Sequence, residues 1–315
     1  MAFLGKIIKA GTALGAAGLG IGALVYEGAL NTGLAKKFGE LFSKGDTERA
    51  NQKDCPYAEG MDEWFDAHKG EDKVISCEGA GTAHAYVILN ETPTNKWAVL
   101  NHGYTSDPSG TAAYAREYYN MGYNCVCPSM RGFGCDDNSY CSMGYYDKYI
   151  CLAWVNYVAL NYPDAEIVIH GYSMGAATAM LTIGEEGLPA NVKCCVADCG
   201  YTNCYEQYTF VLKHNASLPA FPILDLANTV SKLRGNFDFK ESSPIDAIRK
   251  TDVPILFIHG DKDDFVPYFM MDKLYDACAS EKEKLTIEGA VHASSVFVDP
   301  ELYWKTVRNF IAKYM

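Results

Sequence analysis

Gly171-Tyr172-Ser173-Met174-Gly175 follows the apolar run Glu166-Ile-Val-Ile-His170 without a break, and the small-residue helix former Ala176-Ala-Thr-Ala-Met-Leu181 comes directly after it. A strand, a G-x-S-x-G turn and a helix in succession describe a nucleophile elbow. The turn is tight, so a side chain at either glycine would collide with a neighbouring element. Such a turn lifts the Ser173 hydroxyl above a sheet. It also aims the first amides of the following helix, beginning with Met174, at whatever the serine attacks.

A serine of this kind needs a base and an acid, and the expected chain order is Ser, Asp or Glu, His. Four histidines precede or lie within the elbow (His68, His84, His102 and His170), and three follow it. His214 lies in a Pro- and Phe-rich stretch with no strand before it. His259 closes the strand pattern Pro254-Ile-Leu-Phe-Ile258, where a chain starts a loop rather than reaches over one. His292 lies in Glu288-Gly-Ala-Val-His-Ala-Ser-Ser295, just after the short strand pattern Lys284-Leu-Thr-Ile287. A histidine on that loop can swing toward the elbow, so His292 is the expected general base and then general acid. The acid belongs at the end of the preceding strand, where His259-Gly-Asp-Lys-Asp-Asp-Phe-Val-Pro267 offers Asp261, Asp263 and Asp264. Asp198, ending Val192-Lys-Cys-Cys-Val-Ala197, is the alternative one strand earlier.

Together with Trp97-Ala-Val-Leu-Asn-His-Gly-Tyr-Thr-Ser106, these segments make the chain resemble a serine hydrolase of the α/β-hydrolase superfamily. Within that superfamily it is similar to bacterial membrane-anchored hydrolases related to the serine aminopeptidase group. The resemblance runs from about Val74 to the C-terminus. The segment 259–267 matches an H-G-x-x-D-x-x-V-P loop of many relatives, which places the acid on Asp263 and leaves Asp261 and Asp264 as solvated or turn-forming residues. The strand running into His102-Gly103 implies half of an oxyanion hole, with the Tyr104 backbone N–H paired to that of Met174. His102 then reads as a structural hydrogen-bonding residue. Arg131-Gly-Phe-Gly134 stands where relatives often carry R-G-H-G and reads as structural. The resemblance implies hydrolysis of an ester, thioester or amide without naming the substrate.

Alternation of apolar strand and helix patterns agrees with an α/β-hydrolase fold, a mostly parallel eight-stranded sheet flanked by helices. The pattern predicts strands at Lys73–Ser76, Ala83–Leu89, Lys96–Asn101, Tyr123–Pro128, Glu166–His170, Lys193–Asp198, Pro254–His259 and Lys284–Ile287. It predicts helices at Thr111–Asn120, Tyr146–Leu160, Met174–Ile183, Tyr268–Cys278 and Glu301–Tyr314. The first two strands should form a hairpin, and helices join the later ones as parallel strands require. The hydrolase domain is expected at residues 73–315. Its lid is expected after the sixth strand, at about 201–250, because a ~50-residue connection inside a compact domain is usually functional. The apolar pieces of that connection, such as Leu218-Pro-Ala-Phe-Pro-Ile-Leu224 and Phe237-Asp-Phe239, suit a cap over a hydrophobic acyl group as well as plain packing.

The amino terminus reads as a separate module. Lys6 and Lys9 precede Ala10 to Tyr26, which carries no charge. Residues 1–30 are read as a single-pass membrane anchor or signal-like helix, with a buried or interfacial helix as the competing reading, and 31–72 as a helical membrane-proximal segment. That anchor would place the enzyme at a membrane, with an extracytoplasmic catalytic domain or, alternatively, a cytoplasmic one. Gly11-x-x-x-Gly15 and Gly18-x-x-x-Gly22 would permit close helix contact.

Composition narrows the remaining choices. With 315 residues, 49% of them hydrophobic, the chain can bury one large core. A net charge of −12 argues against nucleic acid as a partner. Of the twelve cysteines, Cys125, Cys127, Cys194 and Cys195 fall in strands as small apolar residues, while Cys135 with Cys141, or Cys199 with Cys204, could bridge in an oxidising compartment. No paired C-x-x-C or H-E-x-x-H occurs, so neither metal nor cofactor is expected. The expected partner is a small-molecule acyl ester or amide. The expected activity is carboxylic ester or thioester cleavage through Ser173, His292 and Asp263. A serine peptidase or amidase with the same triad is the alternative, and a non-catalytic membrane-anchored scaffold is the more distant one.

Overall fold

The computed structural model describes residues 18–34 and 55–315. Eight strands form one sheet: β1 (Lys73–Cys77), β2 (Gly81–Ile88), β3 (Lys96–Asn101), β4 (Asn124–Pro128), β5 (Glu166–Tyr172), β6 (Val192–Asp198), β7 (Ile255–Gly260) and β8 (Lys282–Ile287). Their order across the sheet is β1-β2-β4-β3-β5-β6-β7-β8. β1 and β2 form the antiparallel hairpin, and β2 pairs antiparallel with β4. From β4 to β8 every pair is parallel. β4 and β7 are buried along their whole length and β3, β5 and β6 along most of theirs, as expected of a parallel sheet covered on both faces by crossover helices.

The described helices, in chain order, begin with α1 (18–30) and α2 (Met61–His68). They continue with α3 (Ala112–Asn120), α4 (Asp147–Asn161) and α5 (Met174–Thr182). Next come α6 (Cys204–Phe210), α7 (Ile223–Val230) and α8 (Pro244–Ala247). The last three are α9 (Phe269–Ala277), α10 (Ser295–Val298) and α11 (Pro300–Ile311). One core lies on the α4 and α5 face of the sheet, around Trp97, Trp154, Ile167 and Phe257. A second lies on the α3 and α11 face, around Tyr118, Val168, Tyr303 and Trp304. The third is built from the β6–β7 connection and α1, with Tyr26, Leu30, Leu224, Phe237 and Phe239.

The membrane-anchor reading of the amino terminus finds no support in α1, the part of it that is described. Among the described residues no helix is long and apolar enough to cross a membrane. Part of the predicted span, residues 10–17, lies outside the described residues. The part that is described buries Gly22, Tyr26 and Leu30 on one face, at the i, i+4, i+8 spacing of a helix lying on protein. A Cβ on Gly22 would sit 2.6 Å from the backbone of Leu226 in α7, so this glycine serves close approach to the β6–β7 connection. Glu27 on the same helix takes hydrogen bonds from Tyr140 and Arg234. The Leu30 carbonyl accepts from the Cys141 amide.

Candidate active site

The elbow glycines are required sterically. A Cβ on Gly171 would overlap the Gly175 carbonyl, and one on Gly175 would overlap the Asn101 carbonyl of β3. Ser173 itself has φ 55° and ψ −122°, a backbone conformation costly for a residue with a side chain. The Ser173 amide donates to the Asp198 carbonyl at 2.8 Å, which ties this strained residue to the end of β6.

The structure brings Ser173, His292 and Asp263 together from three distant segments. Ser173 Oγ lies 2.8 Å from His292 Nε2. His292 Nδ1 lies 2.8 Å from Asp263 Oδ2. Asp263 Oδ1 accepts from the Phe265 and Val266 amides at 3.0 and 2.8 Å. A carboxylate can only accept, so His292 carries its hydrogen on Nδ1 and leaves Nε2 as the acceptor for the serine hydroxyl. Gly260 lets the histidine loop come close, because a Cβ there would overlap the Ala290 carbonyl.

Asp263 is fully buried, and burial alone would raise its carboxyl. The charge of His292 and hydrogen bonds from His259 and His292 together outweigh burial and hold the carboxyl well below the usual range. His259 is thus a second imidazole on the same carboxylate, with Nε2 at 3.2 Å from Asp263 Oδ2 and 2.8 Å from the Val266 carbonyl. Sequence reasoning missed that contact, although the i, i+4 spacing of His259 and Asp263 carried a signal for it. Asp261 forms a turn, accepting from the Gly289 amide and pairing with Lys262.

Tyr104 and Met174 line the same small cavity as Ser173. Met174 is the first residue of α5, where a helical amide has no intrahelical acceptor. Gly103 allows the approach, since a Cβ there would meet the Tyr172 ring at 2.8 Å and Ser173 Cβ at 3.4 Å. His102 is buried and neutral, pushed down to about 4 by burial. Its Nδ1 bonds the Gly103 carbonyl and its Nε2 accepts the Met130 amide, a structural tie between β3 and the segment after β4. In Arg131-Gly-Phe-Gly134, Phe133 packs its ring against His102 and Tyr104. His214 stacks on Phe210.

Asp198, the alternative acid, serves another network. Tyr303 donates to Asp198 Oδ2 at 3.1 Å, His170 Nε2 meets Tyr303 at 3.0 Å, and Tyr118 meets His170 Nδ1 at 3.1 Å. Burial pushes the Asp198 carboxyl up to about 7, with His259 opposing. Its folded pKa lies above the unfolded ~3.9, so the folded chain holds a proton that the unfolded chain has released. The stability from this group is complete below about pH 4 and is lost as pH rises through about 7. Asp198→Asn, which keeps the shape and cannot ionise, should therefore gain on the natural protein by roughly 2–4 kcal/mol between about pH 4 and 8. Urea unfolding across that range checks this, and parallel profiles would contradict it.

All twelve cysteines are unbridged, so neither Cys135–Cys141 nor Cys199–Cys204 forms. Cys199, held at φ 46°, presents its sulfur beside Asp263 and His292, with one donor atom of each within 4.8 Å of the others. The cysteine spacing gave no hint of this. In the geometry observed, both His292 nitrogens already have partners, in Ser173 and Asp263.

An eight-stranded, mostly parallel sheet with a serine elbow after β5 and an acid–imidazole pair on the loops after β7 and β8 defines the α/β-hydrolase class. The chain belongs to the α/β-hydrolase family: residues 99–221 match the family described as alpha/beta hydrolase fold. It is similar to the uncharacterized protein YqkD of Bacillus subtilis, with 30% identity over 227 residues, 72% of this chain and 73% of the relative. Among solved structures it is similar in fold to the Pyrococcus furiosus esterase Pf2001, at TM-score 0.63 and 21% identity, covering 79% of this chain and 92% of the esterase. The Pyrococcus horikoshii acylaminoacyl peptidase matches at TM-score 0.55 and 16% identity, over 76% of this chain and 41% of the peptidase.

Proposed function

We propose that the protein is a serine hydrolase that cleaves a carboxylic ester or thioester of a hydrophobic acyl group through an acyl-enzyme. The observation that carries this reading is the unbroken hydrogen-bonded chain from Ser173 through His292 to Asp263, 2.8 Å at each step. In this mechanism Ser173 Oγ attacks the acyl carbonyl while His292 Nε2 takes its proton. Asp263 fixes the tautomer and stabilises the imidazolium. The Tyr104 and Met174 amides donate to the oxyanion, each such donor contributing about 3 kcal/mol. His292 then protonates the leaving oxygen or sulfur, and water releases the acyl group by the reverse proton path. No cofactor takes part.

The wall of the cavity at Ser173 supports an apolar acyl group over a charged one. Tyr104, Met143, Tyr201, Tyr208, Val211, Phe265 and Val266 line it, and among the described residues no carboxylate does. An aminopeptidase needs an acidic subsite for the substrate ammonium, which is why the ester reading leads. Tyr208 and Val211 come from the β6–β7 connection, whose role in this reading is a lid over the acyl group. The cavity holds about 30 Å³, the scale of one or two waters. p-Nitrophenyl esters of increasing acyl length, run beside aminoacyl p-nitroanilides, test the reading. Turnover should be highest on short acyl esters and at least a hundredfold lower on the anilides. Faster anilide turnover would replace the esterase with a peptidase, and inactivity on both series would remove the ester preference.

A further inference from the structure

The cavity at Ser173 contains one polar feature that the mechanism does not use. Gln207, on α6, is 2% exposed and lines the cavity. Its Nε2 donates to the Phe265 carbonyl at 2.7 Å, while its Oε1 is buried and has no hydrogen-bond partner among the described residues. The orientation of this amide is fixed by chemistry. Turning it over would set Oε1 against a carbonyl oxygen, two acceptors face to face, so the oxygen must be the atom left over.

The other polar groups on the wall are turned away. The Tyr104 hydroxyl donates to the Ala29 carbonyl of α1 at 2.7 Å, and the Tyr201 hydroxyl to the Met143 carbonyl at 3.0 Å. The Tyr208 hydroxyl also points to the Ala29 carbonyl. Gln207 is held rigidly as well. The helix that carries it is capped by Asn203, whose side chain accepts from the Tyr205 and Glu206 amides. An acceptor buried in an apolar wall without a donor costs free energy that a leucine or methionine of similar size would not. A group of that kind in the wall of the cavity that holds Ser173 is what a site built for a donor on its substrate contains.

We infer that Gln207 is a specificity residue: its Oε1 accepts a hydrogen bond from a neutral hydroxyl or amide N–H on the acyl part of the substrate. The donor is neutral because among the described residues no carboxylate lines the cavity to pair with a cation. The natural substrate on this account has an apolar acyl body with one donor close to the scissile carbonyl. The inference rests on the reading of Ser173 as the nucleophile.

Paired p-nitrophenyl esters that exchange one methyl or methylene for a donor provide the test: propionate against glycolate, butyrate against 3-hydroxypropionate, and levulinate against N-acetylglycinate. Each kcat/KM is divided by the hydroxide-catalysed rate of the same ester, which removes intrinsic reactivity. The natural protein should favour the donor member of at least one pair by roughly tenfold or more. Gln207→Met should bring that ratio to about one. Because the substitution also takes a donor from the Phe265 carbonyl, the ratio is the readout rather than the absolute rate. A fluorophosphonate label on Ser173 is measured in the same samples. Labelling with no preference in any pair, or a preference that survives Gln207→Met, overturns the inference and leaves the catalytic reading standing. Absence of both labelling and turnover in the natural protein sinks the catalytic reading, and this inference with it.

Discussion

Ser173→Ala is expected to lower kcat on a p-nitrophenyl ester by about a million-fold, and His292→Ala by about the same factor. The double variant should lose almost nothing further. On the proposed mechanism neither residue works alone: the hydroxyl is a poor nucleophile unless Nε2 at 2.8 Å takes its proton, and Nε2 has nothing to deprotonate without the hydroxyl. A residual acceleration of about a thousandfold over water should remain, from the Tyr104 and Met174 amides and from binding. Single-turnover and steady-state rates on the three variants check this. Independent, multiplicative losses would show that the two residues do not act as a unit.

Asp263→Asn should lower kcat by about 10⁴ while keeping the geometry. The Phe265 and Val266 amides already donate to Oδ1, so the asparagine must place its carbonyl oxygen there and its NH₂ toward His292. An NH₂ facing Nδ1 forces that nitrogen to accept, which moves the imidazole hydrogen to Nε2, the atom that must be free for Ser173. His259 loses its carboxylate partner in the same substitution. The pH dependence of stability should change too. Because the Asp263 carboxyl is held well below its ordinary range, its contribution is present above about pH 4 and is lost as pH falls toward that depressed value. Asp263→Asn should therefore be less stable than the natural protein at neutral pH, with the gap closing under acid. Activity and urea unfolding measured on the same preparations check both halves, and unchanged kcat would contradict the assigned role.

The parts of this molecule that were legible in the sequence are those whose signal is local. Eight short apolar runs separated by helix patterns give the sheet, because a buried parallel strand needs consecutive apolar residues. The elbow is legible because its glycines are demanded by contacts within one strand–turn–helix unit and with β3 next to it. His292 and Asp263 are legible because each follows a strand on a short loop. Contacts between remote segments were not legible. The orphaned oxygen of Gln207 depends on Phe265, and the Asp198–Tyr303–His170–Tyr118 network joins β6, α11, β5 and α3. The uncharged stretch near the amino terminus was ambiguous for a physical reason. Small apolar residues without charge suit lipid and a close protein surface equally well. For Gly22 the contact that decides is with Leu226, two hundred residues further along the chain. Glu27 bonded to Tyr140 and Arg234 is the polar counterpart of that packing.

The most direct test of the central claim is intact-mass and peptide mapping after brief exposure to a fluorophosphonate at neutral pH. The account predicts one adduct per chain, on Ser173, absent in Ser173→Ala and formed orders of magnitude more slowly in His292→Ala. An adduct on another residue, or ester hydrolysis that persists in full once Ser173 is blocked or replaced by alanine, would contradict it.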